Sequence, residues 1–527
     1  MTTLTAEPRA GRREWIGLAV LSLACLLYVM DLTVLHLAVP AISKDLRPSS
    51  SQLLWIIDIY GFMVAGFLVT MGTLGDRIGR RKLLLIGASG FGVVSLLAAF
   101  SVSAEMLIAS RALLGVAGAT LAPSTLSLIF TMFQDPRQRA VAISVWISAF
   151  SAGSAVGPVL GGFMLEHFWW GSVFLLALPV MALLLVLGPI VLPEYRDPDA
   201  GRLDLKSAAM SLVTVLSVIF GLKQIAQDGA SPLPIAAMAV GILVGIAWIR
   251  RQLTIANPMI DVRLFRIPAF SGSLAINFVS IFVAVGYFLF VARYLQLVLG
   301  LSPLAAGLWS LPSAIGFIVG SQVAPRLVRV VRPSHIIGGG LAMAAIGLVL
   351  LTQVGATGGL GPLVTASLVI SLGLAPVLTL TTDLIVGSAP PEQAGAASGI
   401  SETGTELGGA LGIAILGTIG TAVYRSDIAA ALPSSVPAGA VAVARDTLGA
   451  AVGVAGELPA RAGATILDVA RDAFVHGMHA TSLIAAAIAI GVSIVSLVAL
   501  RHISAGGGDI EMNDDVPCPD CGVAAAA

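Results

Sequence analysis

Apolar residues along this chain gather in long runs, broken by short clusters of charge, proline and glycine. Fourteen such runs stand out, at 15–37, 52–74, 83–101, 105–130, 139–164, 169–192, 207–224, 232–250, 270–299, 303–325, 335–353, 361–387, 394–423 and 478–500. A helix needs about 20 apolar residues to cross the hydrocarbon core of a bilayer. In that medium a backbone has to satisfy its own hydrogen bonds, so each run predicts a transmembrane helix. The polar stretch "PEYRDPDAGRLDLK" at 193–206 separates the first six runs from the rest, which suggests a six, two and six arrangement. Residues 424–477 are too interrupted by charge to span and predict an amphipathic hairpin lying outside the bilayer.

Composition supports the membrane class. Hydrophobic residues make up 57% and charged residues only 11% of the 527, too few charges to wet the surface of a soluble protein. The 29 Lys+Arg against 29 Asp+Glu leave no basic excess for nucleic acid. Cys518 and Cys521 form a lone "CPDC" near the C-terminus, and two ligands do not complete a zinc site, so no metal is expected. The leader "MTTLTAEPRAGRREW" precedes an apolar run too long for a cleaved signal, and reads as the approach to a retained first span.

The distribution of Lys and Arg orients the spans. With the N-terminus cytoplasmic, 20 of the 29 fall on the inner side, 7 on the outer side, and Arg111 and Arg293 fall within spans. The positive-inside rule then places both termini in the cytoplasm.

Several stretches carry more than hydrophobicity. "GTLGDRIGRRK" at 72–82 combines Gly72 and Gly79, which permit a tight turn and close helix approach, with Asp76 and the basic Arg77, Arg80 and Arg81. A weaker copy, "GSQVAPRLVRVVRPSHIIGG", follows the tenth run without the acid and suggests an internal repeat. In "GSAVGPVLGG", Gly153, Gly157 and Gly161 recur every four residues beside Gly162, a face another helix can approach closely, while Pro158 favours a kink. Asp31 and Asp58 stand almost alone in apolar surroundings, where an unpaired carboxylate is costly. A rise of about 1.5 Å per residue puts both in the outer half of their spans. Glu402 and Glu406 share one helix face, about 12 to 18 Å from its inner end. Two carboxylates there repel when both are ionised, which suits a pair that gains and loses a proton. Arg111 is equally misplaced in lipid, Arg293 is positioned to snorkel to the interface, and Asp383 reads as a boundary residue.

These motifs together resemble the major facilitator superfamily, in its fourteen-helix branch of drug:proton antiporters. "GTLGDRIGRRK" is similar to the family's loop between helices two and three. "RALLGVAGA" is similar to its helix-four motif, with Leu114 where Gln is usual, and "GSAVGPVLGG" to the antiporter signature of helix five. "DLTVLHLAVP" is similar to a helix-one signature, with His36 in place of Asn, and "SGISETGTELGGALGIAILG" also resembles the multidrug pumps of this branch.

The resemblance implies an all-α integral membrane fold of two six-helix bundles, at 1–192 and 269–505. A linker with two extra helices at 193–268 would join them, with the long outer loop at 424–477 and a polar cytoplasmic tail at 506–527. It further implies a bacterial inner-membrane location. Asp31 would face a central cavity between the bundles, and Arg111 would take part in proton coupling. Asp31, Asp58, Arg111, Glu402 and Glu406 are then the expected substrate and proton sites. Trp55, Tyr60, Trp146, Tyr287 and Trp309 would line the cavity and favour hydrophobic cations through cation–π contact.

No G-x-x-x-x-G-K-[ST] loop occurs, so the expected energy source is the proton gradient, with no cofactor and no enzymatic activity. The expected function is antiport of protons against mono- and divalent hydrophobic cations such as dyes, quaternary ammonium compounds and fluoroquinolones, by a monomer in the bilayer. Export of an endogenous lipid or metabolite, with drug efflux as a side activity, is the alternative.

Overall fold

The computed structural model describes residues 9–196, 204–228, 231–255, 258–432 and 436–503. Among these, 14 helices are long and apolar enough to cross a membrane. The first six spans comprise α1 (Arg12–Leu46), α2 (Ser50–Ile78), α3 (Arg80–Ala99), α4 (Ala104–Gly118) with α5 (Leu121–Met132), α6 (Pro136–His167), and α7 (Ser172–Leu175) with α8 (Ala177–Val191). Two further spans follow as α9 (Leu205–Asp228) and α10 (Pro232–Gln252). The last six spans are α11 (Pro268–Arg293), extended by a π turn, α12 (Pro303–Leu327), α13 (Pro333–Leu350), α14 (Leu360–Gly387), α15 (Ala394–Ala431) and α18 (Ala460–Ala499). Between the last two lie α16 (Ala438–Asp446) and α17 (Leu448–Glu457).

Local chemistry sets the helix ends. Ser49, Ser103 and Ser302 each accept a backbone N–H of the first turn they precede. Asp135 does the same with Pro136 at the first helical position. Between α2 and α3 there is one residue only, Gly79 at φ +111, so 72–82 is a helix end and a helix start rather than an open loop.

Two large apolar cores form. One is built from residues of α1 to α8, joined by Val386 and Ala394, and the other from 269–503. The α9–α10 hairpin belongs to neither. α10 packs on α9, and α9 lies in the seam between α2 and α15, where Phe62, Ala65, Val215, Ile219 and Leu407 meet. The hairpin is tied at its base by Asp204, which accepts from the Ser207 hydroxyl and from Arg251 Nη2, both at 2.7 Å. These bonds, Ser207 first, hold the Asp204 carboxyl down at about 2. The outer side of α10 exposes Leu233, Ile235, Ile242, Leu243, Ile246 and Ile249, an apolar perimeter suited to lipid.

The long segment at 424–477 differs from expectation. α15 continues to Ala431 and α18 begins at Ala460, so about half of the segment extends two spans, and the rest holds the α16–α17 helix pair. Arg445, Asp446, Asp468 and Asp472 lie on the solvent side of helices whose Ala444, Ala451, Ala455, Ile466 and Ala470 face inward. Tyr424 donates to the Ala444 carbonyl at 2.7 Å and fastens α16 to α15. Cys518 and Cys521 lie outside the described residues.

Candidate functional site

Gly153, Gly157 and Gly161 all turn toward α1. A Cβ at these positions would run into the Leu26 backbone, Thr33 and Val34 respectively. The glycine row therefore seats α6 against α1 inside the first half, and α1 is the helix that approaches it closely. Gly162 faces open space. The side chain of Pro158 lies outside the described residues, as does that of His36.

That close seating holds α1 firmly, and α1 carries Asp31. Asp31 is not a lone carboxylate. Arg111 of α4, fully buried, donates to its Oδ2, and the same guanidinium donates to the Ile56 carbonyl and lies 4.6 Å from the Tyr60 ring centroid. The Asp31 side chain keeps 11% exposure, at a small recess lined by Leu27, Met30, Val34, Val173 and Phe174. Nor is Asp58 alone. Lys223 of α9 donates to its Oδ1 at 2.9 Å, with both side chains about a quarter exposed.

Glu402 and Glu406 lie half-buried on α15. Tyr28 of α1 donates to Glu406 Oε1 at 3.3 Å, a hydrogen bond from one half to the other. Tyr28 also packs 6.1 Å from Tyr60, so Asp31, Arg111, Tyr60, Tyr28 and Glu406 form one continuous polar and aromatic path. Tyr28 and Lys223 were not among the expected site residues. Tyr28 sits three residues before Asp31, on the same helix face, which is the signal that could have found it. Lys223 reads in sequence as one more outer-loop charge.

The five aromatics are not brought together. Tyr60 is fully buried beside Arg111, while Trp146 is buried in the first half and donates to Thr125 Oγ1 at 3.0 Å. Tyr287 is buried on α11 in the second half, and Trp309 on α12 is 46% exposed. Trp55 stacks obliquely on Phe62, at 6.1 Å, on the face of α2 that bears Asp58. Arg293 is exposed, in keeping with a snorkelling position.

A second constellation closes the basic end of the seam, where α2 meets α3. Asp76, in the last turn of α2, accepts from Arg80 Nε at 3.0 Å and from the backbone N–H of Gly395 and Ala396 at 3.1 and 2.9 Å. Those amides begin α15, so a carboxylate of one half caps a helix of the other. Gly72 lets the backbones touch there, because a Cβ would strike the Gly395 carbonyl. Arg80, also buried, reaches Thr131 Oγ1 at 2.9 Å and the Pro391 carbonyl at 2.6 Å. Arg81 donates to the Leu192 carbonyl, and Arg77 lies half-buried in the last turn of α2. Asp383 is no mere boundary residue, since Arg139 of α6 donates to it across the seam at 3.2 Å. Nearer the middle, Ser148 shares a 2.7 Å hydrogen bond with Ser321. These side-chain hydrogen bonds joining the halves, with those of Ser127 to Ser398 and Ser144 to Gln322, lie between the middle of the bundle and this basic end.

A known family model matches residues 21–413, a stretch that includes both sides of this seam. The chain belongs to the Major Facilitator Superfamily. Within this superfamily it is 45% identical to the multidrug efflux pump LfrA of Mycolicibacterium smegmatis, over 94% of this chain and 98% of that protein. It is 37% identical to the methyl viologen resistance protein SmvA of Salmonella typhimurium, over 89% of this chain and 95% of the relative. The crystal structure of the human organic anion transporter MFSD10 shares the fold, with a TM-score of 0.58 at 17% identity, covering 90% of this chain and 99% of that one. The superfamily and these relatives point to a membrane transporter of the multidrug efflux kind rather than an enzyme.

Proposed function

We propose that the protein exports hydrophobic cations in exchange for protons, from the cytoplasmic side of a bacterial inner membrane. The observation that carries this reading is three carboxylates in and beside the seam, each with a partner able to respond to its charge. Arg111 answers Asp31, Lys223 answers Asp58 and Tyr28 answers Glu406. Such an acid binds either a proton or a cation, and competition between the two for one site is antiport in its simplest form. The relative named for methyl viologen, a dication, supports a cationic substrate.

With the basic face cytoplasmic, as the positive-inside rule requires, the latch at Asp76 shuts the inner end. The described conformation is then closed toward the cytoplasm. No bound group beyond protons and substrate enters this cycle.

Reconstituted vesicles test the reading. Ethidium should accumulate in inverted vesicles under an imposed proton gradient and leak back when an uncoupler collapses it. Transport that persists without the gradient would sink proton coupling. Transport of anionic dyes but not ethidium would sink the cationic assignment.

A further inference from the structure

Lys223 makes the contacts that a bound cationic substrate would make. Its ammonium sits 2.9 Å from Asp58 Oδ1 and 4.7 Å from the centroid of the Phe62 ring. Trp55 stands beside Phe62, so the acid and two aromatic faces on one side of α2 form a receptor for a flat organic cation. Leu407, the neighbour of Glu406 on α15, packs into the same apolar cluster as Phe62. Lys223 arrives from outside both halves, on α9, which is wedged between α2 and α15. Its four-carbon stem is flexible, and the pair is partly exposed rather than sealed.

We propose that Lys223 is a tethered cation that fills the Asp58 site when no substrate is bound, and that an incoming cation must displace it. This rests on the cation-export reading above. It gives the α9–α10 hairpin a task beyond filling the seam, since α9 holds the competitor in place. Lys223 thereby sets a threshold. A cation that cannot outcompete the ammonium for Asp58 is not held, and a dication needing Asp58 together with Glu406 meets the larger penalty. Once displaced, the ammonium stays on its tether and returns after release, which resets the empty site.

A positioning role alone predicts something different. If Lys223 merely braced α9 against α2, neutralising it would weaken the seam and lower affinity. Displacement requires the opposite sign. A partly exposed ion pair contributes about 0.5–1 kcal/mol, and its removal as a competitor corresponds to about two- to fivefold in affinity.

The test uses full-length protein in lipid nanodiscs, with ethidium followed by fluorescence anisotropy and methyl viologen by competition. Lys223→Gln should bind both cations about two- to fivefold more tightly than wild type, with methyl viologen gaining more. Lys223→Met, an uncharged chain of similar length, should repeat the gain and serves where the Gln variant is poorly folded. Lys223→Arg, which keeps the charge, should stay near wild-type affinity. Adding Asp58→Asn to Lys223→Gln should abolish the gain. Equal or weaker binding by both neutral variants, or an equal gain in Lys223→Arg, would overturn the proposal while leaving cation export standing. Failure of wild type and variants alike to bind either cation would overturn both readings.

Discussion

Replacing Asp76 by Asn removes the charge from the latch while keeping its shape. The Asp76–Arg80 pair lies within one half, so parting the halves does not by itself break it. What distinguishes the latched state is the carboxylate's grip on Gly395 N–H and Ala396 N–H at the start of α15. An Asn oxygen can keep one of these two bonds, without the charge. The other is lost, at about 1.5–3 kcal/mol for a bond to an ionised group. The favourable interaction with the α15 N-terminus is lost too, at about 0.5–1 kcal/mol. Together these come to about 2–4 kcal/mol, which moves the balance between closed and open inner ends by about thirtyfold to several hundredfold. Spin labels at Arg137→Cys and Arg329→Cys, both exposed at the basic end, would report the distance between the halves. Cys518 and Cys521 would first be replaced by Ser, and buried Cys25 can remain. Wild type should show mainly the short distance, and Asp76→Asn a majority of the long one, with ethidium affinity changed far less than transport. An unchanged distance distribution would refute the latch. So would dye affinity that fell as steeply as transport.

Three other outcomes can be checked. Asp31→Asn strands the fully buried Arg111 charge and should cost about 3–5 kcal/mol of stability, whereas Asp31→Asn with Arg111→Gln should cost less than the two single changes combined, read by thermal unfolding in detergent. In the double variant Glu402→Gln, Glu406→Gln, the proton release that substrate provokes from purified protein should fall by at least half, and release equal to wild type would remove this pair from coupling. Asp204 has a folded-state pKa depressed to about 2, so its contribution is present above the ordinary value near 3.8 and fades as pH falls through about 2. Asp204→Asn should therefore be less stable than wild type at neutral pH, with the difference shrinking between pH 4 and pH 2.

How far the sequence alone reached follows from what each signal depends on. A transmembrane helix is dictated by a local run of apolar residues and by the backbone's need to bond to itself, so all fourteen spans were legible. Their ends were less so. α18 starts at Ala460 rather than near 478, because small residues pack inward on a helix whose charges stay in water, and a hydropathy run does not register that face. The acids too could be read as functional, since an intramembrane carboxylate is expensive wherever it lies.

Partnership was a different matter. Asp31 and Arg111 are 80 residues apart in the chain, Asp58 and Lys223 are 165, and Tyr28 and Glu406 are 378. Each side chain obeys its local pattern whichever partner it finds, so spacing along the chain carries no record of these pairs. Only the packing of α6 on α1, of α2 on α15 and of α9 into the seam between them decides which charges meet. The same packing turned the glycine row of α6 inward to its own half and put Lys223, which by sequence is a charge at the outer end of the seventh run, against an acid in the seam.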